Sequence, residues 1–459
     1  MRAPVPIPAE FRALVRLTVP VVAVQVGLMF MGVVDTLMVG HLSAQALAAV
    51  ALGNLYFFTI TIAGVGTLMA LDPLVSQAVG AGDETAIARG LQRGLVLAVL
   101  VTVPICLALA LVRPVLAAAG EPATLVDPAA AYIRVIIPGM LPFFVFVVFR
   151  QTLQATRRIA PIVIVTLAAN LLNAGLNWVF IFGHLGSPAF GVAGSALATT
   201  VSRWVMAIAL LGAGWRELGP RLRPWRREAF DTAALGRMLH IGLPIGGQMF
   251  LEYGIFALVG ALMGRIGTLA MAGHQIALNL AALVFMVPQG TGAAASVLVG
   301  QAIGADDGAR AGRAAAGGLL LGGGFMVASA IVFLAAPGFL AGLYSPDLAV
   351  QAMARPLIRL AGAFAVFDGL QAVAIGILRG IGDTRAPIVI SMLGYWLIGL
   401  PASLLLGFRL DMGPTGLWWG LVLGLAVTAA VLLARVRVRL RGRIHRLLVD
   451  HPVALAGEP

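Results

Sequence analysis

Twelve long apolar stretches divide this chain, and each is long enough to cross a lipid bilayer. A membrane-spanning helix needs roughly 20 mostly apolar residues. Inside lipid the backbone N–H and C=O groups must bond within the segment, which favours helices. We predict spans at about 14–39, 46–72, 91–112, 130–154, 160–182, 191–214, 238–263, 269–297, 313–336, 356–378, 386–408 and 414–434.

The composition leaves little material for a soluble domain. Of 459 residues, 60% are hydrophobic and 11% are charged, with a mean hydropathy of +0.99. Soluble domains carry about 25% charged residues. The single Cys106 excludes an internal disulfide. We expect no cleaved signal peptide, because the N-terminus lacks a short apolar region with a small-residue cleavage site.

The chain contains a long internal repeat. Gly66–Asp83 and Gly290–Asp307 are 224 positions apart, and 10 of their 18 paired residues are identical. The same offset runs back to Pro20 and Pro244. Each repeat holds six predicted spans, so both insert in the same orientation. The pattern predicts an all-α polytopic membrane protein with two six-helix lobes related by a pseudo-two-fold axis along the membrane normal.

We predict four regions: an N-lobe at 1–215, a cytoplasmic linker at 216–237, a C-lobe at 238–436 and a cytoplasmic tail at 437–459. All 31 basic residues are arginine. With the N-terminus in the cytoplasm, 24 arginines fall on the inside and six on the outside. Because inside loops are rich in Lys and Arg, both termini are predicted to be cytoplasmic. The net charge of +12 sits in short loops, which favours a membrane rather than a nucleic-acid partner.

Two acids lie near the middle of predicted spans. Glu252 is 12 residues from Gly264, and Asp368 is 10 residues from Leu378. Gln248 shares a helical face with Glu252, and Gln371 shares one with Asp368. Structural hydrogen bonding between helices is the alternative. Function is favoured, because a lone carboxylate at that depth usually serves a cation.

Other polar residues within spans are weaker candidates. Asp35 lies near an outer span end and is a functional candidate, whereas Asp72, before Pro73, and Arg203 favour structural roles. A second set of polar residues lies on shared helical faces or at neighbouring positions within two spans. These side chains either form hydrogen bonds between helices or support an ion or substrate site. Its members are Asn170, Asn173 and Asn177 in the fifth span and His274, Gln275 and Asn279 in the eighth. Packing is the favoured role for the last three.

Several stretches resemble the MATE family of multidrug and toxic compound extrusion transporters, most closely its NorM-like branch. The resemblance covers about 14–436. It is carried by VDTLMVGHLSAQALAAVALGN at 34–54, LMALDPLVSQAVGAGD at 68–83, NLLNAGLNWVFIFG at 170–183, GLPIGGQMFLEYGIFALV at 242–259, AGHQIALNLAALVFMVPQGTGAAASVLVGQAIGADD at 272–307 and LRGIGDTRAPIVI at 378–390.

The resemblance implies export of cationic or amphiphilic compounds against inward Na⁺ or H⁺, with no cofactor. Glu252 and Asp368 match the C-lobe cation-site carboxylates, where Na⁺ could bind. Asp35 matches the N-lobe carboxylate, with Asn173, Asn177 and Thr199 as polar neighbours. Some members carry a second acid where this chain has Asn177, so Asp35 is the only acid of that cluster.

We therefore expect a monomeric inner-membrane antiporter for drugs and organic cations, not an enzyme. Gln248, Gln371, Gln275 and Asn279 are further candidates as supporting polar groups. A flippase for a lipid-linked oligosaccharide is one alternative, although it would need a cationic cavity. A membrane-embedded lipid-modifying enzyme is another, and it would need acids or histidines clustered at one interface. A channel or receptor suits the duplication less well.

Overall fold

The computed structural model describes residues 8–442 and 444–450. Within those residues the fold is built from helices, and twelve of them are long and apolar enough to cross a membrane. The twelve predicted spans are confirmed, and most helices extend beyond the apolar stretches that predicted them. They are α1 (Pro8–Gly40), α2 (Ala44–Gly80), α3 (Glu84–Ala110), α4 (Ala123–Ala155), α5 (Ala160–Phe182), α6 (Val192–Ala213), α7 (Thr232–Ile266), α8 (Thr268–Gly304), α9 (Gly308–Ala335), α10 (Leu348–Ile381), α11 (Arg385–Arg409) and α12 (Gly413–Arg441).

The repeated acidic turns cap two equivalent helices. The Asp83 carboxylate accepts a hydrogen bond from the Ala86 N–H at 2.9 Å, and Asp307 accepts one from Arg310 at 2.9 Å. Such a cap satisfies an N–H group that has no partner in the first helical turn. The repeat of the GAGD and GADD stretches is thus explained by two identical turns that start α3 and α9.

Three long helices contain irregular turns. In α2 the regular helix ends at Leu68 and restarts at Leu71, just before Pro73. In α4 a 3₁₀ turn, Ile137–Gly139, interrupts the helix at a proline. In α11 the backbone widens to a π-helix at Met392–Gly399 and again at Leu405–Arg409. Wide turns of this kind shift side chains out of the ordinary helical register and often occur at functional sites.

The helices form two compact units, which we call the N-unit and the C-unit. The N-unit comprises 23–246 with 449–450, and the C-unit comprises 8–22 with 247–442 and 444–448. These boundaries differ from the predicted lobes at 1–215 and 238–436. The divisions fall inside α1 and α7, close to Pro20 and Pro244. Proline removes a helical hydrogen bond and bends the helix, so both helices can change unit there.

The internal repeat is also seen in the packing of the starts of α1 and α7, which belong to the C-unit and the N-unit respectively. In the N-unit, α2 approaches the start of α7 so closely that a Cβ on Gly66 would collide with the backbone of Gly246. In the C-unit, a Cβ on Gly290 would meet the Val22 backbone at 3.1 Å. Gly66 and Gly290 are equivalent positions of the repeat, and so are Val22 and Gly246. Glycine is required at such crossings because any side chain would push the helices apart.

The arginine-rich linker predicted at 216–237 packs against other residues of the N-unit. Arg221 pairs with Glu84 at 2.9 Å and with Glu217 at 2.7 Å. The Gln92 amide donates to the backbone oxygens of Arg221 and Pro224 at 2.9 and 3.1 Å. A segment predicted only as a topogenic charge cluster is therefore also an ordered part of this unit.

The last described residue adds a charged contact to the N-unit. Asp450 pairs with Arg89 at 2.7 Å and with Arg93 at 2.6 Å. Partial burial would by itself raise the pKa of the Asp450 carboxyl, but the two guanidinium groups outweigh it and hold that pKa below its ordinary value. The Arg237 Nε also donates to the Val449 carbonyl oxygen at 2.5 Å.

Candidate functional site

The N-unit holds a buried carboxyl group surrounded by hydrogen-bond donors. Asp35 on α1 is 4% exposed. The Asn177 amide of α5 donates to its Oδ1 at 2.5 Å, and the Thr199 hydroxyl of α6 donates to its Oδ2 at 2.7 Å. Each carboxyl oxygen thus receives one bond, which is the pattern an ionised carboxylate accepts. We call Asp35, Asn173, Asn177 and Thr199 the N-site.

Asn173 closes the hydrogen-bonded ring of the N-site. Its Oδ1 accepts from the Asn177 amide at 3.1 Å, and its own amide lies 3.5 Å from the Thr199 hydroxyl. Asn173 and Asn177 are four residues apart on α5, so they present their side chains on one face. The structure therefore brings together the four residues that the family resemblance grouped here.

Arg203 lies beside the N-site on α6. Its guanidinium carbon is 4.7 Å from the centre of the Phe57 ring and 4.9 Å from that of Phe143. Arg203 also interacts electrostatically with Asp35. Stacking between two aromatic faces stabilises a cation away from water. The sequence did not indicate this arrangement, because Phe57 and Phe143 come from distant helices.

The C-unit holds a pair of carboxyl groups. The two oxygens of Glu252 on α7 accept from the Gln248 amide at 2.6 Å and from the Gln371 amide at 3.2 Å. Asp368 on α10 is 6% exposed and interacts electrostatically with Glu252. Gln371 lies on the same face of α10 as Asp368, three residues further on. We call Glu252, Asp368, Gln248 and Gln371 the C-site.

A tyrosine extends the C-site to α11. The Tyr395 hydroxyl donates to the Gln371 Oε1 at 2.7 Å, and Gln371 in turn donates to Glu252. The neighbouring Trp396 donates its ring N–H to the Leu251 carbonyl oxygen at 3.2 Å. Both aromatic residues lie in the first π-helical stretch of α11, so they point where a regular helix would not place them.

Aromatic rings connect this site to a buried histidine. The Phe256 ring packs edge-on against both Tyr395 and Phe364, and Phe364 packs edge-on against Trp418. The Trp418 ring N–H donates to the His274 Nδ1 at 3.2 Å. His274 is fully buried in this arrangement.

Two further predicted supporting residues lie on an exposed face of α8. Gln275 and Asn279 are four residues apart on an exposed face of α8, and the structure does not bring them into the hydrogen-bonded C-site. Tyr395 joins the C-site although sequence reasoning missed it. The polar hydroxyl of this tyrosine within an otherwise apolar span could have indicated it as a site residue. Asn170 was noted only as a neighbour of Asn173 and proves to contact α1.

The chemistry of both sites suits a monovalent cation or a proton. Among the described residues, His, Cys, Asp and Glu form no group of three that could hold a metal ion. Carboxyl and amide oxygens are hard ligands, which suit a cation such as Na⁺ better than a transition metal. An ionised carboxylate at this depth costs at least a few kcal/mol, and a bound cation or proton would reduce that cost.

A polytopic helical membrane protein with an internal duplication and a buried carboxyl site in each unit is the architecture of a secondary transporter. Comparison with known proteins agrees. A family model described as MatE matches residues 20–179 and 244–405. The chain belongs to this family of transporters and resembles its NorM-like branch.

Curated relatives match over nearly the whole chain. A "Probable multidrug resistance protein NorM" of Rhizobium meliloti is 39% identical over 93% of this chain and 92% of its own. The "Multidrug resistance protein MdtK" of Edwardsiella ictaluri is 34% identical over 93% and 95%. Among solved structures, the eukaryotic MATE transporter AtDTX14 superposes with a TM-score of 0.86 at 23% identity, covering 94% of this chain and 98% of its own. At that identity the last match supports the fold alone.

Proposed function

We propose that this protein exports cationic or amphiphilic small molecules from the cell by antiport against inward Na⁺ or H⁺. The observation that carries the proposal is a carboxyl site in each unit: Asp35 and Asp368 are buried, and the partly buried Glu252 interacts electrostatically with Asp368. The relatives' names, which refer to multidrug resistance, support the export of several compounds. We further propose a location in the inner membrane with both termini in the cytoplasm, following the arginine distribution.

The carboxyl groups suggest how exchange could work. Antiport requires that the coupling ion and the substrate favour different states of the protein. A cation or proton that binds the C-site neutralises charge that would otherwise attract a cationic substrate. Binding of the ion would then favour release of the substrate, and loss of the ion would restore the site.

Transport in proteoliposomes tests the proposal. Purified protein would be reconstituted with ethidium, and Na⁺ and H⁺ gradients would be imposed separately. We expect ethidium movement driven by at least one gradient and absent from protein-free vesicles. Expression in a pump-deficient bacterium should also lower ethidium accumulation. No movement of several cationic dyes under either gradient, with correctly folded protein in the membrane, would refute drug export.

A further inference from the structure

A patch of aromatic rings and arginines is exposed on the segment that joins α6 to α7. Trp215, Trp225 and Phe230 are 42%, 46% and 59% exposed, whereas large aromatic side chains usually bury most of their surface. Three exposed arginines of the same segment accompany these rings. We call the six residues the linker patch: Trp215, Arg216, Arg223, Trp225, Arg227 and Phe230.

The side chains of the linker patch contact one another in pairs. The guanidinium carbon of Arg223 lies 5.4 Å from the centre of the Trp215 ring, and the Trp225 and Phe230 rings are 6.2 Å apart between their centres. The Trp215 ring lies on its own helix, since a Cβ on Gly219 would be 2.9 Å from it. A guanidinium group that stacks on a ring can still donate its edge N–H groups to an anion.

The backbone beneath the linker patch is held by two buried residues of α3. The Gln92 amide donates to the Pro224 carbonyl oxygen at 3.1 Å, and its Oε1 accepts from the Arg226 N–H at 2.9 Å. The Arg93 Nε donates to the Glu228 carbonyl oxygen at 3.0 Å. Because the segment is already ordered, binding of a ligand would cost little further conformational entropy.

The linker patch carries an excess of positive charge, because the acids near it have partners of their own. Glu217 pairs with Arg221 at 2.7 Å, and Glu228 pairs with Arg89 at 3.2 Å. The third acid of the segment, Asp231, accepts a hydrogen bond from a backbone N–H at the start of α7. Among the described residues, the three arginines of the patch have no acidic ion-pair partner. Their charge is therefore available to an anionic ligand.

The linker patch lies at the ends of two helices that are long enough to cross the membrane. Trp215 is two residues beyond the end of α6 at Ala213, and Phe230 is two residues before the start of α7 at Thr232. Lipid headgroups add roughly 10–15 Å to a hydrocarbon core of about 30 Å. A segment next to the end of a span therefore meets the headgroups, which is the level where tryptophan is enriched.

We propose that the linker patch binds the headgroups of anionic phospholipids in the leaflet beside the linker. The guanidinium groups donate paired hydrogen bonds to phosphate oxygens, and the aromatic rings cover the adjoining apolar part of the lipid. With the orientation proposed above, this leaflet is the cytoplasmic one, whose anionic lipids attract basic segments. This binding goes beyond the proposed drug export and does not depend on it.

The exposed rings favour a lipid over a soluble anion. A soluble phosphate would be held by the guanidinium groups alone, and the apolar surfaces of Trp225 and Phe230 would stay in water. Covering apolar surface is favourable only when the ligand itself has an apolar part. A phospholipid supplies the anionic group and the apolar part in one molecule, as in other membrane-surface elements rich in arginine and tryptophan.

Thermal unfolding of the purified full-length protein in neutral detergent micelles tests the proposal. Phosphatidylglycerol, phosphatidylcholine or inorganic phosphate is titrated in, and the rise in unfolding temperature gives an apparent affinity, since a ligand of the folded state stabilises it. The patch variant carries Arg223→Gln and Arg227→Gln. The matched control carries Arg265→Gln and Arg409→Gln, at two exposed arginines elsewhere, and has the same net charge.

We expect phosphatidylglycerol to raise the unfolding temperature of the wild-type protein more than phosphatidylcholine does, and inorganic phosphate to leave it unchanged. The patch variant should need about 25-fold more phosphatidylglycerol, because each arginine near an anionic surface changes the affinity about fivefold. The control should bind as the wild-type protein does. Without lipid, all proteins should unfold at the same temperature. If the patch variant does not, Arg216→Gln with Arg227→Gln takes its place.

An unchanged affinity of the patch variant for phosphatidylglycerol would overturn the inference. Equal losses in the patch variant and the control would also overturn it, because the protein would then respond to net charge alone. Equal stabilisation by phosphatidylcholine would remove the role of the arginines, and stabilisation by inorganic phosphate as strong as that by phosphatidylglycerol would replace the lipid with a soluble anion. Because unfolding is measured without transport, ethidium efflux tests the proposed drug export separately.

Discussion

The N-site and the C-site both place carboxyl groups within membrane-spanning helices, but they differ in the number of these groups. The N-site has a single carboxyl group, Asp35, and each of its oxygens is supplied with a donor by Asn177 or Thr199. The C-site has two carboxyl groups, Glu252 and Asp368, and the amides of Gln248 and Gln371 donate to Glu252. The single carboxylate of the N-site has neutral donors and the nearby Arg203 cation, whereas two neighbouring carboxylates favour a shared cation or proton. Under the proposed antiport, the N-site would therefore suit a single proton and the C-site a shared cation or proton.

Removing the only N-site charge should have the largest effect. We expect Asp35→Asn to reduce ethidium efflux to the background of protein-free vesicles, because an amide can neither take up nor release a proton at this depth. Efflux from proteoliposomes under a proton gradient measures it. Asp127→Asn, at an exposed residue that pairs with Arg113, is the matched control and should transport normally. Full efflux by Asp35→Asn would reduce that carboxyl group to a structural role.

The paired charges of the C-site should act as one unit. We expect Glu252→Gln and Asp368→Asn each to lower coupled efflux by on the order of tenfold, or about 1.4 kcal/mol. The double variant should be little worse than either single one, because groups that share one function are not additive. A double-mutant cycle on efflux rates checks this. Independent, additive losses would show that the two acids do not share an ion.

Adding a charge to the N-site should make it resemble the C-site. Asn177→Asp places a second carboxyl group against Asp35, so we expect efflux to gain severalfold stimulation by external Na⁺, since two carboxylates attract a cation more strongly than one. Efflux is measured at fixed pH with and without Na⁺. Asn54→Asp is the control, because Asn54 bonds to Tyr132 rather than to Asp35. An unchanged Na⁺ response would mean that charge number does not distinguish the sites.

The tyrosine behind the C-site should have a smaller influence. Tyr395→Phe removes a hydrogen bond to Gln371 that helps orient Glu252, and we expect efflux to fall about fivefold, corresponding to about 1 kcal/mol. Initial efflux rates at saturating ethidium check it. Tyr56→Phe serves as control, since the Tyr56 hydroxyl donates to the Ala108 carbonyl oxygen of the N-unit. A loss equal to that of Glu252→Gln would instead place Tyr395 within the ion site itself.

The smallest effect concerns a carboxylate outside the membrane. Asp450 has a lowered pKa, so its pairs with Arg89 and Arg93 stabilise the fold above the unfolded-state pKa of about 3.9 and lose that effect as the pH falls through the lower folded-state pKa. We expect Asp450→Asn to reduce stability by about 1 kcal/mol or less at pH 7. Thermal unfolding at pH 7 and in acid measures it, with unchanged efflux. A difference that persists in strong acid would point to a role other than charge pairing.

The sequence could predict what depends on hydrophobicity and charge. All twelve spans, the six-plus-six repeat and the acids at Glu252 and Asp368 follow from long apolar runs interrupted by carboxylates. The hydrogen bond from Gln248 to Glu252 agrees with the prediction that these two residues share a helical face. The hydrogen bond from Gln371 to Glu252 joins α10 to α7 and was not predicted.

The rest depended on tertiary contacts and on irregular backbone. Tyr395 reaches Gln371 from a π-helical turn, and a regular 3.6-residue period cannot place it. Arg203 is held by two phenylalanines from other helices, which no local pattern links to it. Gln275 and Asn279 lie on an exposed face of α8, and their supporting role stays a prediction. The unit boundaries differ from the predicted lobe boundaries because the first helix of each repeat is divided between the two units.

That exchange of helix segments bears on the ancestry of the fold. Residues 8–22 open the first repeat yet complete the C-unit, and residues 232–246 open the second repeat yet complete the N-unit. A gene that encoded one repeat alone would therefore produce a chain whose leading segment has no place in its own bundle. Two copies could each pack these segments only by exchanging them, as in a domain-swapped dimer. Fusion into one chain would have made the trade permanent, so that neither half of the modern gene encodes a complete folding unit.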